Sequence, residues 1–287
     1  MVNTRAFALR EAVASAAASG ILLAVLAGMG PGRDIVHGPT RGLSKLGWLG
    51  TAAGLYRNDN QNFLPLTLTY TPRGSSRQTN NSLVGWCAWS AAGKNNHPFW
   101  FNASGGGFDV EAADRPFNSY AQPDVTFTAP PPPARLPMND ARRLNDQAPA
   151  LRDDLDSWSY ERSWPQRNLT VSTYDDVGTS YLWNAIWWDQ PGLPTGFEQR
   201  MAAGAQRFAS GQGVTPWKFA WLSDPHLSVA ALGDTNPKRR LPNWYGHQGK
   251  SVMLFVDGHA AYLETLPGRR FTTKWTTVFS DLPGGGG

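Results

Sequence analysis

The hydrophobic pattern divides the chain into an apolar N-terminal segment, one amphipathic helix and a long region of short alternating runs. Residues 12–30 contain no charged side chain. Nineteen residues in a helix span about 28 Å, which is close to the hydrocarbon thickness of a bilayer. Apolar residues then recur at helical spacing from Leu43 to Tyr56, which predicts a second, amphipathic helix. GPG at 30–32 and HGPTRG at 37–42 are expected to break any helix between these two.

Beyond Pro65 the helical pattern gives way to short β-type runs. Residues 66–70 and 84–89 are predicted strands. Residues 247–263 predict a β-hairpin, because the pair Asp257-Gly258 lies between two apolar runs and both positions tolerate positive φ. We therefore predict an α+β fold. An N-terminal membrane helix and the amphipathic helix would precede an antiparallel β-sheet head with long loops, in which the almost wholly apolar strand SVMLFV is central.

Other stretches carry weaker expectations about burial. Residues 139–156 are the most polar part of the chain and are predicted to be a solvated excursion. The aromatic runs at 99–101 and 181–188 are predicted to lie in the core or in strands, and Cys87 is predicted to be a small buried side chain.

Composition and charge exclude several classes of protein. The chain has 26 Lys and Arg against 22 Asp and Glu, with 41% hydrophobic and 17% charged residues, which fits neither a disordered chain nor a polytopic membrane protein. The longest basic run is 238–240, so no nucleic-acid partner is expected. A single cysteine excludes an intrachain disulfide framework and a cysteine-rich zinc site.

The N-terminus has the pattern of an export signal. Arg5 and Arg10 precede the apolar segment, which predicts that everything after Gly32 lies outside the cytoplasm. Cleavage after Ala27 would give an ordinary secreted protein. Cleavage before the apolar segment, or no cleavage, would leave that segment as a membrane anchor.

The motif Ala6-Phe7-Ala8-Leu9-Arg10-Glu11 resembles the type IV prepilin processing site. The resemblance makes Ala6, in place of the usual Gly, the residue before the cut. It makes Phe7 the methylated mature N-terminus and Glu11 the fifth mature residue. A carboxylate at the start of a lipid-embedded helix is costly to bury alone. Pairing with the terminal amine of a neighbouring subunit would relieve that cost and favour helix bundling.

The C-terminal motif resembles the H-X9-DG domain that accompanies prepilin-type N-termini. Nine residues separate His247 from Asp257-Gly258, and His259 follows directly. The chain is similar here to pseudopilin-like proteins, related to type II secretion protein G, of Planctomycetes and Verrucomicrobia. The LSKLGWLG helix, ADRPFNSY at 113–120 and TSYLWN at 179–184 also match that family. The implied organisation is a leader (1–6), a membrane and assembly helix (7–30), a linker with the amphipathic helix (31–66), a variable exported head (67–246), the H-X9-DG hairpin (247–264) and a C-terminal tail (265–287).

The resemblance implies a non-enzymatic structural subunit of a type II secretion or type IV pilus-like apparatus. It would be a single-pass protein of the inner membrane, held by residues 12–30, with its head in the periplasm or outside the cell. Its expected partners are other pilin-like subunits and a prepilin peptidase. No G-x-S-x-G, H-E-x-x-H or phosphate-loop motif points to an enzyme.

Two alternatives stay open from the residues. His247 and Asp257, with His259, are candidate metal ligands, although a structural role in the hairpin is the favoured explanation of these residues. No cofactor is otherwise expected, and calcium bound through Asp257 is what similarity to the major pseudopilins would suggest. The rival function is a secreted carbohydrate-binding module or carbohydrate-active protein, because indole faces stack on sugars. The tryptophan clusters that would serve it are Trp86/Trp89, Trp158/Trp164 and Trp187/Trp188.

Overall fold

The structure is a computed structural model that describes residues 38–66, 68–70, 83–128, 135–233 and 242–285. Its helices are α1 (Gly38–Asp59), α2 (Asn118–Ala121), α3 (Arg142–Asn145), α4 (Thr173–Val177), α5 (Phe197–Ser210) and α6 (Pro225–Leu232). Its strands are β1 (Leu68–Tyr70), β2 (Leu83–Trp86), β3 (Leu182–Trp183), β4 (Ala220–Ser223), β5 (Lys250–Phe255) and β6 (Ala260–Glu264). Short 3₁₀ helices cover Pro98–Phe101, Ala103–Gly106, Ala112–Asp114, Pro149–Leu151 and Ile186–Asp189.

The predicted leader and membrane helix lie outside the described residues. Within the part of the chain that is described, no helix combines the length and apolarity needed to cross a membrane.

Helix α1 is the predicted amphipathic helix. Its buried residues recur on one face: Gly42, Leu46, Leu49, Gly50, Ala52 and Ala53. The expectation that residues 37–42 break any helix is wrong, because α1 already begins at Gly38. Pro39 lies in the first turn, where a missing backbone N–H removes no intrahelical hydrogen bond.

The main sheet is antiparallel and four-stranded, in the order β3-β4-β5-β6. The predicted hairpin is confirmed as β5–β6, with Lys250 opposite Glu264 and Leu254 opposite Ala260. Strands β1 and β2 form a separate antiparallel pair. The fold is therefore α+β, as predicted.

Strand β5 is buried on both faces of the sheet, which explains its unbroken apolar sequence. Val252 and Leu254 belong to the larger core, which also contains the apolar face of α1. Met253 and Phe255 point to the opposite side and pack in a second core with α6 and the segment around Trp275. The head is thus layered, with α1 on one face of the sheet and α6 on the other.

The polar stretch at 139–156 is less solvated than predicted. Ala148 and Leu151 are buried, and so are the charged Arg143 and Asp153. The guanidinium of Arg143 forms a fully buried bidentate pair with Asp109, at 2.8 Å for both hydrogen bonds. A buried charge is tolerated when it is paired in this way, so a charged residue here does not mark a wet surface.

The aromatic run at 181–188 is confirmed as core, since all eight of its residues are buried. Trp187 packs against Trp183, Phe208 and Phe279. Cys87 is also buried, as predicted. The run at 99–101 forms a 3₁₀ helix in which Trp100 is buried and Phe99 is exposed.

Candidate functional site

The Asp257-Gly258-His259 turn closes the β5–β6 hairpin. The Asp257 Oδ1 atom accepts a hydrogen bond from the His259 backbone N–H at 3.1 Å and lies 2.6 Å from the ring Nδ1 of His259. The His259 ring stacks flat on Phe255, with centroids 4.3 Å apart. Gly258 has a φ of +92°, a conformation that favours glycine. The three residues therefore hold one another in a tight turn.

Helix α1 packs directly against this turn. A Cβ atom added to Gly50 would lie only 2.3 Å from the carbonyl oxygen of Gly258. About two turns further along α1, Arg57 donates a hydrogen bond of 2.9 Å to the carbonyl of Val256. The glycine in the helix thus permits close approach of two backbones that are far apart in sequence, while the glycine in the turn is required by its positive φ.

His247 lies near the opposite, open end of the hairpin. Its ring Nδ1 is 2.9 Å from the hydroxyl of Tyr262. The side chain of Asn243 donates to that same hydroxyl and to the carbonyl of Lys250, and it accepts from the His247 backbone N–H. This network fastens the preceding loop to the two strands.

The structure does not bring the predicted metal ligands together. His247 precedes β5 and Asp257 follows it, and a six-residue strand spans about 17 Å. His259 accompanies Asp257 at the turn. Among the described residues, no group of three His, Cys, Asp or Glu side chains is arranged to hold a metal ion.

Arg115, in the 113–120 element, is a fully buried guanidinium that organises the surrounding loops. It donates to the carbonyls of Trp89, Ala92, Val110 and Val177 and to the side chain of Asn96. Burial lowers the pKa of Arg115 to about 10, which still leaves the side chain charged at neutral pH. Its role is to bind four main-chain carbonyls from three segments of the chain.

Asn118, in the same element, clamps a neighbouring loop. Its Oδ1 atom accepts from the Gly93 N–H at 2.8 Å, and its Nδ2 atom donates to the carbonyls of Gly93 and Ala112. All three bonds are buried, so this side chain replaces the backbone partners that an irregular loop lacks.

The 179–184 element serves a similar purpose on β3. Ser180 donates to Asp156 and accepts from the Asp153 backbone N–H, and Tyr181 donates to the Asp153 carboxylate at 3.0 Å. Asn184 donates to the carbonyls of Ala220 and Thr277, both at 2.9 Å. These bonds connect β3 to the loop before α4, to β4 and to the C-terminal segment.

Sequence reasoning missed a carboxyl pair formed by the fully buried Asp176 and the half-buried Glu161. Asp176 accepts from the indole of Trp100 at 2.8 Å and from Arg162 at 2.6 Å through one oxygen, while its other oxygen has no hydrogen-bond partner. The hidden Oε1 atom of Glu161 also lacks a partner. Burial and the nearby charge of Asp176 raise the pKa of Glu161 to about 8, so Glu161 holds a proton at neutral pH.

No sequence signal points to this pair, because the two residues are fifteen positions apart, Glu161 in a turn and Asp176 in the short helix α4. Sequence reasoning also missed a buried aromatic cluster around His226. An Asp-Pro-His run directly after an apolar strand, at 224–226, is the signal that would have found it.

The tryptophans of the sugar-binding alternative are mostly internal. Trp187 and Trp188 are 0% and 3% exposed and Trp89 is 7% exposed, so none of these rings presents a free face. Trp158 is half-buried, and Trp164 is 43% exposed. The side chain of Trp86 lies outside what the structure describes.

Ala6, Phe7 and Glu11, the predicted processing and assembly residues, fall outside the described residues. Comparisons with known proteins add no identification: no protein-family model, no curated protein and no solved structure matches the chain.

Proposed function

We propose that the chain is a non-enzymatic, pseudopilin-like structural subunit of a type II secretion or type IV pilus-like apparatus. The observation that carries this proposal is the packing of α1 on the β5–β6 hairpin, with Gly50 of the helix against Gly258 of the motif turn. An N-terminal helix held along an antiparallel sheet fits a pilin-like head.

The roles of the motif residues support a structural rather than a catalytic function. Arg115 and Asn118 bind main-chain carbonyl and N–H groups, and Asp257 binds within its own turn. Catalytic side chains, by contrast, need polar atoms free to meet a substrate. We therefore propose that the motif residues stabilise the fold of the head, and that the surface loops around them vary.

In the proposed assembly, residues 12–30 anchor the subunit in the inner membrane and a prepilin peptidase cuts between Ala6 and Phe7. Glu11 then pairs with the terminal amine of the adjacent subunit. The head lies in the periplasm or outside the cell, and its variable loops contact partner proteins.

Mass spectrometry of the protein from its native membrane tests the processing. The proposal expects a chain that begins at N-methylated Phe7. A chain that begins at Gly28 contradicts the anchored subunit and favours the secreted, sugar-binding alternative. An uncut Met1 contradicts prepilin processing.

Substitution of Glu11 tests assembly independently of processing. Glu11→Ala is expected to abolish co-purification with pilin-like subunits, while the head keeps its tryptophan fluorescence spectrum. Glu198→Ala, a change of the same type at an exposed position of α5, is the matched control. Unchanged incorporation of Glu11→Ala refutes the role assigned to Glu11.

A further inference from the structure

Strand β6 is an open edge of the main sheet. Among the described strands it has one neighbour, β5, and the register between the two strands contains no bulge. The side chains of β6 are all at least partly exposed. Natural proteins commonly protect such an edge with a lysine, a proline or a β-bulge, and residues 260–264 contain none of these. The edge is therefore open to pairing with a further strand.

The backbone of β6 presents free hydrogen-bonding groups at this edge. The His259 carbonyl accepts a hydrogen bond from β5, so His259 and every second residue after it face β5. The N–H and C=O groups of Ala260 and Tyr262 consequently point outward, and no residue in the described part of the chain binds them. The outward carbonyl of Glu264 is occupied, because it accepts the indole N–H of Trp275 at 2.8 Å. Each chain thus offers four backbone groups to a partner strand.

One flank of helix α1 runs beside this edge. The opposite flank packs through Trp48 on α2, and Phe117 at the start of α2 touches β4. With 3.6 residues per turn, the flank on the β6 side contains Leu43, Gly47 and Gly54. A Cβ atom at Gly47 or at Gly54 would meet no atom within 4 Å. The helix surface beside the edge therefore has room for a second element.

We propose that a second copy of the chain adds its own β6 to this edge, antiparallel and two-fold symmetric about Ala261. In this register Ala260 lies opposite the partner's Tyr262, and the free groups of the two chains form four hydrogen bonds. Glu264, the one charged residue of β6, lies opposite the partner's Gly258, so no like charges meet. The two four-stranded sheets become one continuous antiparallel sheet.

The position of α1 favours a second copy over an extended segment of another protein. The two-fold axis is perpendicular to the sheet, so both α1 helices lie on the same face. Helix α1 contacts both β5 and β6. With strands about 4.8 Å apart, a helix above the line between these two strands lies about 10 Å from its symmetry mate. Packed helices are about 8–10 Å apart, and Gly47 and Gly54 permit that approach. A lone strand would leave this helix flank uncovered.

Disulfide formation through residue 261 tests the register directly. In the proposed pair, the two Ala261 residues face each other without mutual hydrogen bonds, which places their Cα atoms about 4.5 Å apart, within reach of a disulfide. Mild oxidation of the full-length Ala261→Cys protein in detergent is expected to link two chains. The native Cys87 is buried, so the wild type should not be linked.

Leu263→Cys is the matched control for the register. Ala261 and Leu263 lie on the same face of β6, but the two Leu263 residues of the proposed pair are about 14 Å apart. Leu263→Cys is therefore expected to give at least about 10-fold less disulfide-linked dimer than Ala261→Cys. Equal linking of the two variants overturns the proposed register, and the absence of a linked Ala261→Cys dimer overturns the pairing itself.

Ala260→Pro tests whether the pairing uses the edge. The Ala260 N–H takes no part in the β5–β6 ladder, so a proline there blocks the outer edge without removing a hydrogen bond of the sheet. Combined with Ala261→Cys it is expected to abolish the linked dimer, whereas Ala260→Val should preserve it. If Ala260→Pro fails to fold by circular dichroism, Gly47→Leu decides, because its side chain meets open space in one chain and the helix of the second copy in the pair. Linking that persists in the folded blocking variant overturns the proposal.

Discussion

The contact between Gly50 and Gly258 predicts opposite effects of the same substitution at two positions of α1. Alanine should lower the free energy of unfolding at Gly50 and raise it at Gly54. In Gly50→Ala the new methyl group would lie 2.3 Å from the Gly258 carbonyl oxygen and 3.0 Å from the Leu254 side chain. The first atom is backbone and the second belongs to a fully buried side chain, so neither can shift easily and α1 must move away from the turn. Overpacking of this kind costs about 1–3 kcal/mol.

Gly54→Ala is the matched control on the same helix. A Cβ atom at Gly54 meets no atom within 4 Å, and the position is exposed. Alanine there gains about 1 kcal/mol from helix propensity alone. Gly50→Ala gains the same helix propensity, so a steric clash that costs about 2–3 kcal/mol lowers the free energy of unfolding by about 1–2 kcal/mol in total.

The two variants are therefore expected to shift stability in opposite directions. Urea unfolding of the purified chain, followed by tryptophan fluorescence, measures both free energies of unfolding. Equal stabilisation by Gly50→Ala and Gly54→Ala would show that α1 does not pack against the motif turn, and the reasoning would fail.

Three further predictions concern the core and the buried charges. Leu254→Asp places a charge in the centre of the sheet and is expected to cost several kcal/mol and unfold the head, whereas Leu254→Met should cost less than about 1.5 kcal/mol; circular dichroism of a soluble, folded Asp variant would disprove this. Arg115→Met leaves four carbonyls without their donor and should lower the free energy of unfolding by at least about 3 kcal/mol, while Arg142→Met, which removes a solvent-screened surface pair with Asp140, should change it far less in the same urea assay. The folded state holds the Glu161 proton more tightly than the unfolded state, so the contribution of Glu161 to stability is fully present below pH about 4.5 and is lost as the pH rises toward about 8; Glu161→Gln should remove this part of the pH dependence in melting curves, and an unchanged slope between pH about 4.5 and about 8 would contradict the protonated carboxyl.

The sequence pattern predicted the parts of the fold that depend on local periodicity. The amphipathic helix and the hairpin both rest on short-range signals, the helical spacing of Leu46 and Leu49 and the turn pair Asp257-Gly258. The predicted centrality of Leu254 is confirmed as well, since that side chain is fully buried on an inner strand.

The buried polar groups of the head could not be predicted in this way. Their contacts join residues that are far apart in sequence, and no local sequence pattern contains that information. The charged residues at 139–156 predict a solvated segment. Arg143 is nevertheless buried, because it pairs with Asp109, which lies 34 positions earlier in the chain. The carboxyl pair and the His226 cluster likewise unite segments that are distant in sequence. Composition cannot distinguish a solvent-exposed charged side chain from one that is buried in an ion pair.

The α1–hairpin contact also sets the order in which the head can be completed during synthesis. The Arg57 side chain binds a carbonyl 199 residues later, so the apolar face of α1 leaves the ribosome long before its partner exists. Contacts of such sequence separation form slowly and leave apolar surface exposed meanwhile. A chain interrupted before residue 250 lacks β5 and β6, and its first helix has no sheet to cover it. The apolar face of α1 therefore stays uncovered in the nascent chain until the β5–β6 hairpin at 250–264 has been synthesised.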